Sequence, residues 1–356
     1  MKILAYFLPQ FHTIPENDEW WGKDFTEWTT IRKENKISKN LQPLNNNYYN
    51  LLDEKTIQWQ TELANNYKIY GFVYYHYYFC GKKLLQKPAE LLLSNKNINQ
   101  KFCFCWANHD WIKSSNNIIS ILMKQEYGTE KDWQQHFNYL LPFFKDERYI
   151  KIDNKPLFII FRNFNMKEDI YKYFNKYANK NGLPGIYFAQ ASYSSSNNML
   201  NDSSQASNAV ILREPAASFN RFSHFERCIK KLRKLLSRHI IFLKYNSFIM
   251  TRITISNAKN FCRKMRKTGI KYWLGAYSGW DNTPRHGLLG YKMTNISNSN
   301  YIWYLTQLRK IAEKENIEFI FFNAWNEWAE GMILEPDTYN EYRFLEGIKQ
   351  VFSDLN

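Results

Sequence analysis

The sequence predicts an α/β fold, most simply a (β/α)8 TIM barrel with loop insertions, formed by a single domain over residues 1–356. Eight short apolar runs occur in order, and segments with helical spacing separate most of them. Alternation of strand and helix is typical of α/β proteins, and eight such units in a chain of 356 residues match a barrel. The runs are KILAYFL (2–8), YGFVYYHYYF (70–79), FCFCWA (102–107), PLFIIF (156–161), GIYFAQA (185–191), AVILRE (209–214), YWLGAYS (272–278) and EFIFFNAW (318–325).

Each apolar run has the composition of a strand that is buried on both faces. The runs are rich in β-branched and aromatic residues and nearly continuous, as in parallel sheets. A doubly wound open sheet is the alternative architecture. The first run is not followed by GxGxxG and the chain has no P-loop, which argues against a nucleotide-binding version of that sheet. The clearest helical segments are DEKTIQWQTELANNYK (53–68), EKDWQQHFNYLLPFF (130–144), EDIYKYFNKYANKNG (168–182) and NYIWYLTQLRKIAEKEN (300–316).

Polar and aromatic residues collect at or just after the ends of most runs. Because the active site of a barrel forms at the carboxyl ends of its strands, we expect these residues to converge on one face. Tryptophan rings can stack on the apolar faces of sugars, while Asn, Asp and His can bind the hydroxyls. The set therefore suits a carbohydrate. The candidate substrate-binding residues are Trp20, Trp21, Glu27, His76, Trp106, Asn108, His109, Asp110, Trp280, Asp281, Asn282, Asn326 and Trp328.

The stretch NAWNEWAEG (323–331) carries the strongest chemical signal. Glu327 and Glu330 stand three residues apart at the end of a buried run, where both could reach the barrel mouth. Two carboxylates are what cleavage of a glycosidic bond requires, one as acid and the other as base or nucleophile. The alternative is that one of them is a helix cap or surface carboxylate and that the neighbouring tryptophans belong to the core.

Three of the other motifs also have plain structural alternatives. His76 lies among tyrosines and could be a satisfied core histidine. The HDW motif (109–111) could be no more than a strand end, and GWDNTPRHG (279–287) could be a turn. The chain contains no HxxxH or CxxC spacing, so we predict no metal and no cofactor.

The net charge of +15 is concentrated in one segment. Residues 221–271, between predicted strands six and seven, hold 15 Lys or Arg and one acidic residue, Glu226. Within this basic insertion, IKKLRKLL reads as a short amphipathic helix. It could be an outer barrel helix with a solvated basic face, or it could bind an anionic membrane surface. Charge alone does not indicate nucleic-acid binding, and no recognised module is present, so we expect no nucleic-acid partner.

The sequence predicts a cytoplasmic protein. Its N-terminus lacks the length and cleavage site of an export signal, and no apolar run is long enough to span a bilayer. The five cysteines are an odd number in a long chain and are best explained as small buried residues in a reducing compartment.

Six blocks of this sequence, taken in order, resemble the WbsX family of bacterial lipopolysaccharide and capsule biosynthesis proteins. The family is often labelled glycosyltransferase and belongs with the glycoside hydrolase family ninety-nine-like domain, whose founding members are endo-α-mannosidases. The blocks span residues 3–337 and are AYFLPQFHTIPENDEWWGKDFTEW, GFVYYHYYFCGKKLLQKP, FCFCWANHDW, YIKIDNKPLFIIFR, GWDNTPRHG and NAWNEWAEGMILEPD.

The resemblance implies a (β/α)8 barrel that acts on an oligosaccharide or lipid-linked glycan. Attachment of the basic insertion to anionic lipid would place such an enzyme peripherally at the inner membrane face. NEWAEG matches a mannosidase motif close to NEWHEG, with Ala329 where the mannosidases carry histidine. By this carry-over Glu330 is the general acid/base. Glu327 is the base that draws a proton from the sugar 2-hydroxyl, giving an anhydro-sugar intermediate and net retention. A nucleotide-sugar transferase and a non-catalytic glycan-binding barrel are the alternatives, although no diphosphate site stands out in the sequence.

Overall fold

Eight parallel strands form a closed barrel. The computed structural model describes residues 1–35, 42–115, 118–162, 166, 168–193, 207–220, 244–283 and 292–354. Within them each barrel strand is hydrogen-bonded to the next, and the eighth is bonded to the first. We number the barrel strands β1 (Lys2–Phe7), β2 (Ile69–Phe79), β3 (Lys101–Trp106), β4 (Lys155–Ile160), β5 (Tyr187–Ser192), β6 (Ala209–Leu212), β7 (Lys271–Tyr277) and β8 (Phe319–Asn323).

The predicted barrel is confirmed, because each of the eight apolar runs overlaps one of these strands. The open-sheet alternative is wrong, since β1 pairs in parallel with both β8 and β2 and thereby closes the sheet. The largest differences are at β5, which begins at Tyr187, at β6, which ends at Leu212, and at β8, which ends at Asn323. Arg213 and Glu214 therefore lie beyond the sheet, at the mouth of the barrel.

The four predicted helical segments are also helices in the structure. They span Glu54–Asn66, Glu130–Lys145, Glu168–Lys180 and Asn298–Lys314. Their starts have local causes: Asp53 caps the first and Thr129 forms a capping box with Asp132 in the second. The other described helices are Pro15–Trp21, Glu27–Asn35, Lys87–Ser94, Ala216–Asn220, Ser247–Met265 and Arg343–Phe352, and the short strands are Lys82–Leu84, Trp111–Ser115, Ile118–Met123, Lys151–Ile152, Lys244–Tyr245, Lys292–Met293, Asn326–Glu327 and Met332–Ile333.

Successive residues of a barrel strand face opposite sides, and β2 shows the consequence. Tyr75 points into the barrel, where its ring stacks on Tyr6 with centroids 5.6 Å apart. His76 points outward, and its Nε2 lies 2.8 Å from Nε2 of His136 on the Glu130–Lys145 helix. Burial lowers the pKa of His76 to about 3, so this imidazole is neutral at physiological pH. The strand register thus assigns these neighbours to two different environments.

The predicted basic insertion is only partly described. Residues 221–243, including the IKKLRKLL segment, lie outside the described residues. The remainder contains the Ser247–Met265 helix and the first residue of β7. That helix packs on the barrel through buried residues such as Phe261 and Met265, with Arg263 on its exposed side. This part of the insertion is an outer barrel helix, and membrane attachment stays a prediction.

No helix in the described ranges has both the length and the apolar character needed to cross a membrane.

Glu214 is a fully buried carboxylate on the outer side of the barrel mouth. It accepts hydrogen bonds from the backbone N–H and hydroxyl of Ser218, at 2.9 and 2.8 Å, and from Asn257 at 3.0 Å. These donors are neutral and do not compensate the loss of hydration. Burial therefore raises the pKa of Glu214 to about 7.

Glu214 should make the protein less stable as the pH rises. The folded state keeps the Glu214 proton up to about pH 7, whereas the unfolded chain releases it near its ordinary pKa. The contribution of the bound Glu214 proton to the unfolding free energy is therefore fully present below the pKa of the unfolded chain. It is lost as the pH rises through about 7. We expect the unfolding free energy of Glu214→Gln, relative to wild type, to increase by up to roughly 3 kcal/mol between about pH 5 and about pH 8.

Urea unfolding at several pH values measures this difference. Glu147→Gln, at an exposed position on the opposite end of the barrel, controls for the loss of a carboxylate. If the unfolding free energies of Glu214→Gln and wild type changed in parallel across this pH range, the raised pKa of Glu214 would be contradicted.

Candidate active site

A cavity of about 400 Å³ opens at the carboxyl ends of the barrel strands. Its wall includes both glutamates of NAWNEWAEG, Glu327 and Glu330, together with side chains from the ends of most other strands. The predicted His109, Asp110 and Trp280 also line it. Further lining residues that the sequence analysis did not select as site residues are Gln10, Tyr75, Tyr77, Trp111, Phe161, Arg162, Tyr193, Arg213 and Asn323.

Glu327 is nearly buried and bound by groups from two other strand ends. Tyr75 from β2 donates its hydroxyl hydrogen to Glu327 Oε1 at 2.6 Å. Arg213, just after β6, places Nη2 3.9 Å from the same oxygen. That nitrogen also donates to the Tyr75 hydroxyl at 2.5 Å. The three side chains form a continuous chain from guanidinium to phenol to carboxylate.

Arg213 lies in a cage of aromatic rings. Its guanidinium carbon is 4.5 Å from the ring centre of Tyr6 and 4.6 Å from that of Phe161, distances at which cations are attracted to π faces. An arginine side chain stays protonated in proteins, so this is a permanent positive charge under the cavity. Burial also raises the pKa of Tyr75 well above its ordinary value, which keeps the phenol protonated as a donor to Glu327.

Glu330 lies on a short turn that is attached to the loop after β7. The turn is a 3-10 segment, Trp328–Glu330, and it ends at Gly331, whose left-handed φ of 60° suits glycine. The carbonyl of Glu330 accepts the backbone N–H of Asp281 at 2.8 Å. Its carboxylate Oε2 accepts the indole N–H of Trp280 at 3.3 Å. The loops after β7 and β8 thus place Trp280 and Glu330 together.

Three of the predicted site residues hold this turn from behind and do not line the cavity. Asn326 bonds both backbone groups of Leu8, with Oδ1 accepting at 2.7 Å and Nδ2 donating at 3.1 Å. Glu27 Oε1 accepts the backbone N–H of Ala329 at 3.3 Å. The Trp328 indole donates to the buried carboxylate of Glu335 at 2.7 Å, and its ring packs on Trp28. Their role is to fix the positions of Glu327 and Glu330.

The HDW region forms the wall on the side of β3. His109 lines the cavity, and burial lowers its pKa, so its imidazole is predominantly neutral at neutral pH. Asp110 accepts the backbone N–H of Gln125 at 2.7 Å. Asn108 is buried and accepts the backbone N–H of Arg162 at 2.8 Å, which joins the loops after β3 and β4. Asn108 therefore supports the wall and does not face the cavity.

The remaining predicted residues lie outside the cavity wall. His76 and Trp106 project outward from their strands, and the Trp106 indole donates to the Tyr78 carbonyl. Trp20 and Trp21 cover the Trp111–Ser115 segment from outside, where Trp20 contacts Trp111 at a ring distance of 5.5 Å. Two residues sit beside the cavity without lining it: Asp281, which pairs with Lys292, and Asn282, which is buried.

In the described part of the chain, no three His, Cys, Asp or Glu side chains come together as metal ligands.

Comparison with known proteins identifies the family. A family model described as Glycosyltransferase WbsX matches residues 3–348. The chain belongs to this family. Two curated relatives of this WbsX-family chain, both named uncharacterized protein WxcX, come from two strains of Xanthomonas campestris pv. campestris. Each is 26% identical over 364 residues, which covers 99% of this chain and 49% of the relative. The WbsX-family chain thus spans about half the length of these relatives.

Solved structures share the barrel. A GH99 endo-alpha-mannosidase from Bacteroides thetaiotaomicron superposes with a TM-score of 0.61 at 14% identity, covering 98% of this chain and 95% of the other. A chain described as a glycoside hydrolase-like protein gives a TM-score of 0.63 at 11% identity, with coverages of 99% and 93%. At these identities the likeness shows the fold alone. The WbsX-family chain therefore has a GH99-like barrel.

The hydroxyl of Tyr75 should contribute measurably to stability. Tyr75→Phe removes a donor from Glu327 and an acceptor from Arg213, both of which are buried. We expect a loss of about 1–3 kcal/mol in unfolding free energy, measured by urea titration. Tyr74→Phe is the matched control, since the buried Tyr74 hydroxyl has no hydrogen-bond partner among the described residues. Its removal should be neutral or stabilising, and equal losses in the two variants would contradict this account.

Proposed function

We propose that this protein is a carbohydrate-active enzyme that acts on glycosidic bonds of a bacterial surface polysaccharide by retaining glycosidase or transglycosylase chemistry. One observation supports the proposal above the others: Glu327 and Glu330 line the same cavity at the carboxyl ends of the barrel strands. They are the two carboxylates that such chemistry needs, and indole and phenol rings surround them. Membership in the WbsX family agrees with a polysaccharide-related role.

In the proposed reaction Glu330 begins protonated and acts as general acid. Glu327 takes the proton of the sugar 2-hydroxyl, and the 2-oxygen attacks the anomeric carbon. The bond from that carbon to the leaving oxygen breaks, and Glu330 gives its proton to the leaving oxygen. The anhydro-sugar is then opened at the anomeric carbon by water or by an acceptor hydroxyl. Glu330 takes the proton of this nucleophile and Glu327 returns a proton to the 2-oxygen, which restores both groups with net retention.

The neighbours of the pair have definite parts in this scheme. The Tyr75 hydrogen bond fixes Oε1 of Glu327, so that the carboxylate keeps one orientation toward the substrate. The Trp280 indole holds the carboxyl of Glu330 at the cavity surface. The Trp111 and Trp280 rings offer flat apolar faces for sugar stacking, and His109 and Asp110 offer hydrogen bonds to hydroxyls.

A nucleotide-sugar-dependent glycosyltransferase is the second candidate, because the family model is described as a glycosyltransferase. In that case Glu327 and Glu330 would bind the acceptor sugar. Either enzyme would suit a lipid-linked glycan at the inner membrane face, with the basic insertion (221–271) against anionic lipid.

The chemistry is tested with purified protein, free and lipid-linked α-mannoside oligosaccharides, and mass spectrometry of the products. Each substrate is incubated with and without sugar nucleotides. We expect cleavage or transfer without a nucleotide, reduced by at least roughly 100-fold in Glu327→Gln and Glu330→Gln, because each variant removes an acid/base group. Glu147→Gln is the control for a carboxylate lost far from the cavity.

Other outcomes decide between the alternatives. Reaction that requires a sugar nucleotide would overturn the glycosidase mechanism in favour of the transferase. Turnover that survives in both glutamine variants would remove the pair from catalysis. Binding of the oligosaccharides without any turnover would favour a non-catalytic glycan-binding barrel.

A further inference from the structure

A second cavity of about 410 Å³ lies behind the turn formed by Trp328–Glu330, which follows Glu327. The turn separates the two cavities, since Glu327 and Glu330 line the first and Trp328 lines the second. The outer walls of the second cavity are the loop from Pro43 to Asn47 and the chain around Pro336. Backbone hydrogen bonds join these walls, from Leu44 N–H to the Pro336 carbonyl at 3.0 Å and from residue 338 to the carbonyl of residue 42 at 2.9 Å. The cavity is therefore built by ordered contacts.

The rim of this cavity presents neutral hydrogen-bonding groups. Asn45, Asn46 and Asn47 line it, and the first two have left-handed backbone angles of 56° and 54°. None of the three amide side chains bonds to another residue within the described ranges. Each amide can donate and accept at once, which is what a sugar hydroxyl requires of a partner.

Aromatic rings supply the apolar faces of the same cavity. Trp59 and Tyr342 line it, and Tyr342 is 36% exposed. The Tyr342 ring stacks on Tyr67 with centroids 6.1 Å apart and planes inclined by 14°, which holds it as a flat platform. Rings of this kind can pack against the C–H faces of a pyranose.

The floor is a buried carboxylate with neutral donors. Glu335 is 2% exposed and accepts hydrogen bonds from Tyr49 at 2.8 Å, Gln60 at 2.6 Å and Trp328 at 2.7 Å. No Lys or Arg is among the described residues that line this cavity. A phosphate or carboxylate ligand would lose hydration there without meeting a cation, so the lining favours an uncharged ligand.

We propose that this second cavity is a binding site for a neutral pyranose unit of a glycan, separate from the catalytic cavity. The sugar ring stacks on Trp59 and Tyr342 and its hydroxyls bond the amides of residues 45–47. A glycan held here lies against Trp328, on the back of the turn that carries Glu327 and Glu330. The inference goes beyond the proposed catalytic function and does not need it, because binding can be measured without turnover.

Saturation-transfer difference NMR tests the site with six uncharged probes, the methyl pyranosides of mannose, glucose, galactose, rhamnose, fucose and N-acetylglucosamine. We expect at least one probe to bind wild type and to lose affinity roughly tenfold in Trp59→Ala, through the loss of a stacking partner. Asn46→Gly should also weaken binding. It removes an exposed amide at a left-handed position that glycine adopts readily, so folding is preserved even if Trp59→Ala proves unstable.

Trp111→Ala, in the catalytic cavity, is the matched control, and the saturation transfer that depends on Trp59 and Asn46 should be unchanged in it. Three results would overturn the proposal. The first is the absence of saturation transfer to every probe, and the second is transfer that depends on Trp111 but not on Trp59 and Asn46. The third is binding of methyl glucuronide as tight as that of its neutral glucose counterpart. Loss of catalysis in the Glu327 and Glu330 variants with binding retained would separate the two proposals.

Discussion

The site depends on keeping one carboxylate, Glu327, in a nearly buried position at the barrel mouth. An isolated buried charge would be very costly, so the fold must supply partners for it. It does so with the Tyr75 hydroxyl at 2.6 Å and the Arg213 guanidinium at 3.9 Å. Glu327 and its two partners come from the chain after β8, from β2 and from the segment after β6, and closure of the sheet brings those distant segments together. The aromatic cage around Arg213 also contributes, because its rings stabilise the guanidinium in the interior without a second acidic residue.

A second requirement is that Glu327 and Glu330 keep a fixed relation on what is otherwise an irregular turn. The structure meets it with buried polar contacts on the side of the turn away from the cavity at the barrel mouth. Asn326 ties the turn to β1, Glu27 accepts the N–H of Ala329, and Trp328 is anchored on Glu335. Ala329 is completely buried, so the position where the mannosidase motif has histidine faces packed protein in this chain. Within NEWAEG, two residues, Glu327 and Glu330, thus line the cavity, while Asn326, Trp328 and Ala329 help to position them.

The sequence was sufficient for the barrel because its strands are buried on both faces and bounded by helices, which leaves few other arrangements. It also selected Glu327 and Glu330, since acids at the end of a buried apolar run are unusual, and both line the cavity at the barrel mouth. It failed where the face of a strand decided the outcome. His76 was selected on β2, yet its neighbour Tyr75 faces the cavity, and a continuous apolar strand gives no alternation from which to tell the two apart. Arg213 lies near the end of the sixth run, but its aromatic cage draws on the ends of β1, β2, β4 and β5 and cannot be deduced from order along the chain.

The family description names a transferase, whereas the fold is shared with glycoside hydrolases, and the proposed mechanism shows why these need not conflict. Fold alone does not determine reaction, because a barrel hosts many chemistries. Under the proposed scheme, hydrolysis and transglycosylation share the first step, in which Glu327 and Glu330 act on the bound glycan. They differ only in whether water or a hydroxyl opens the anhydro-sugar. Under the same scheme that choice would depend on the groups that hold an acceptor and not on the pair itself, and Trp111 and Arg162 are in the cavity wall where such groups would lie. Differences between hydrolases and transferases on this scaffold should therefore lie at the rim of the catalytic cavity, while the Glu327–Tyr75–Arg213 chain serves both.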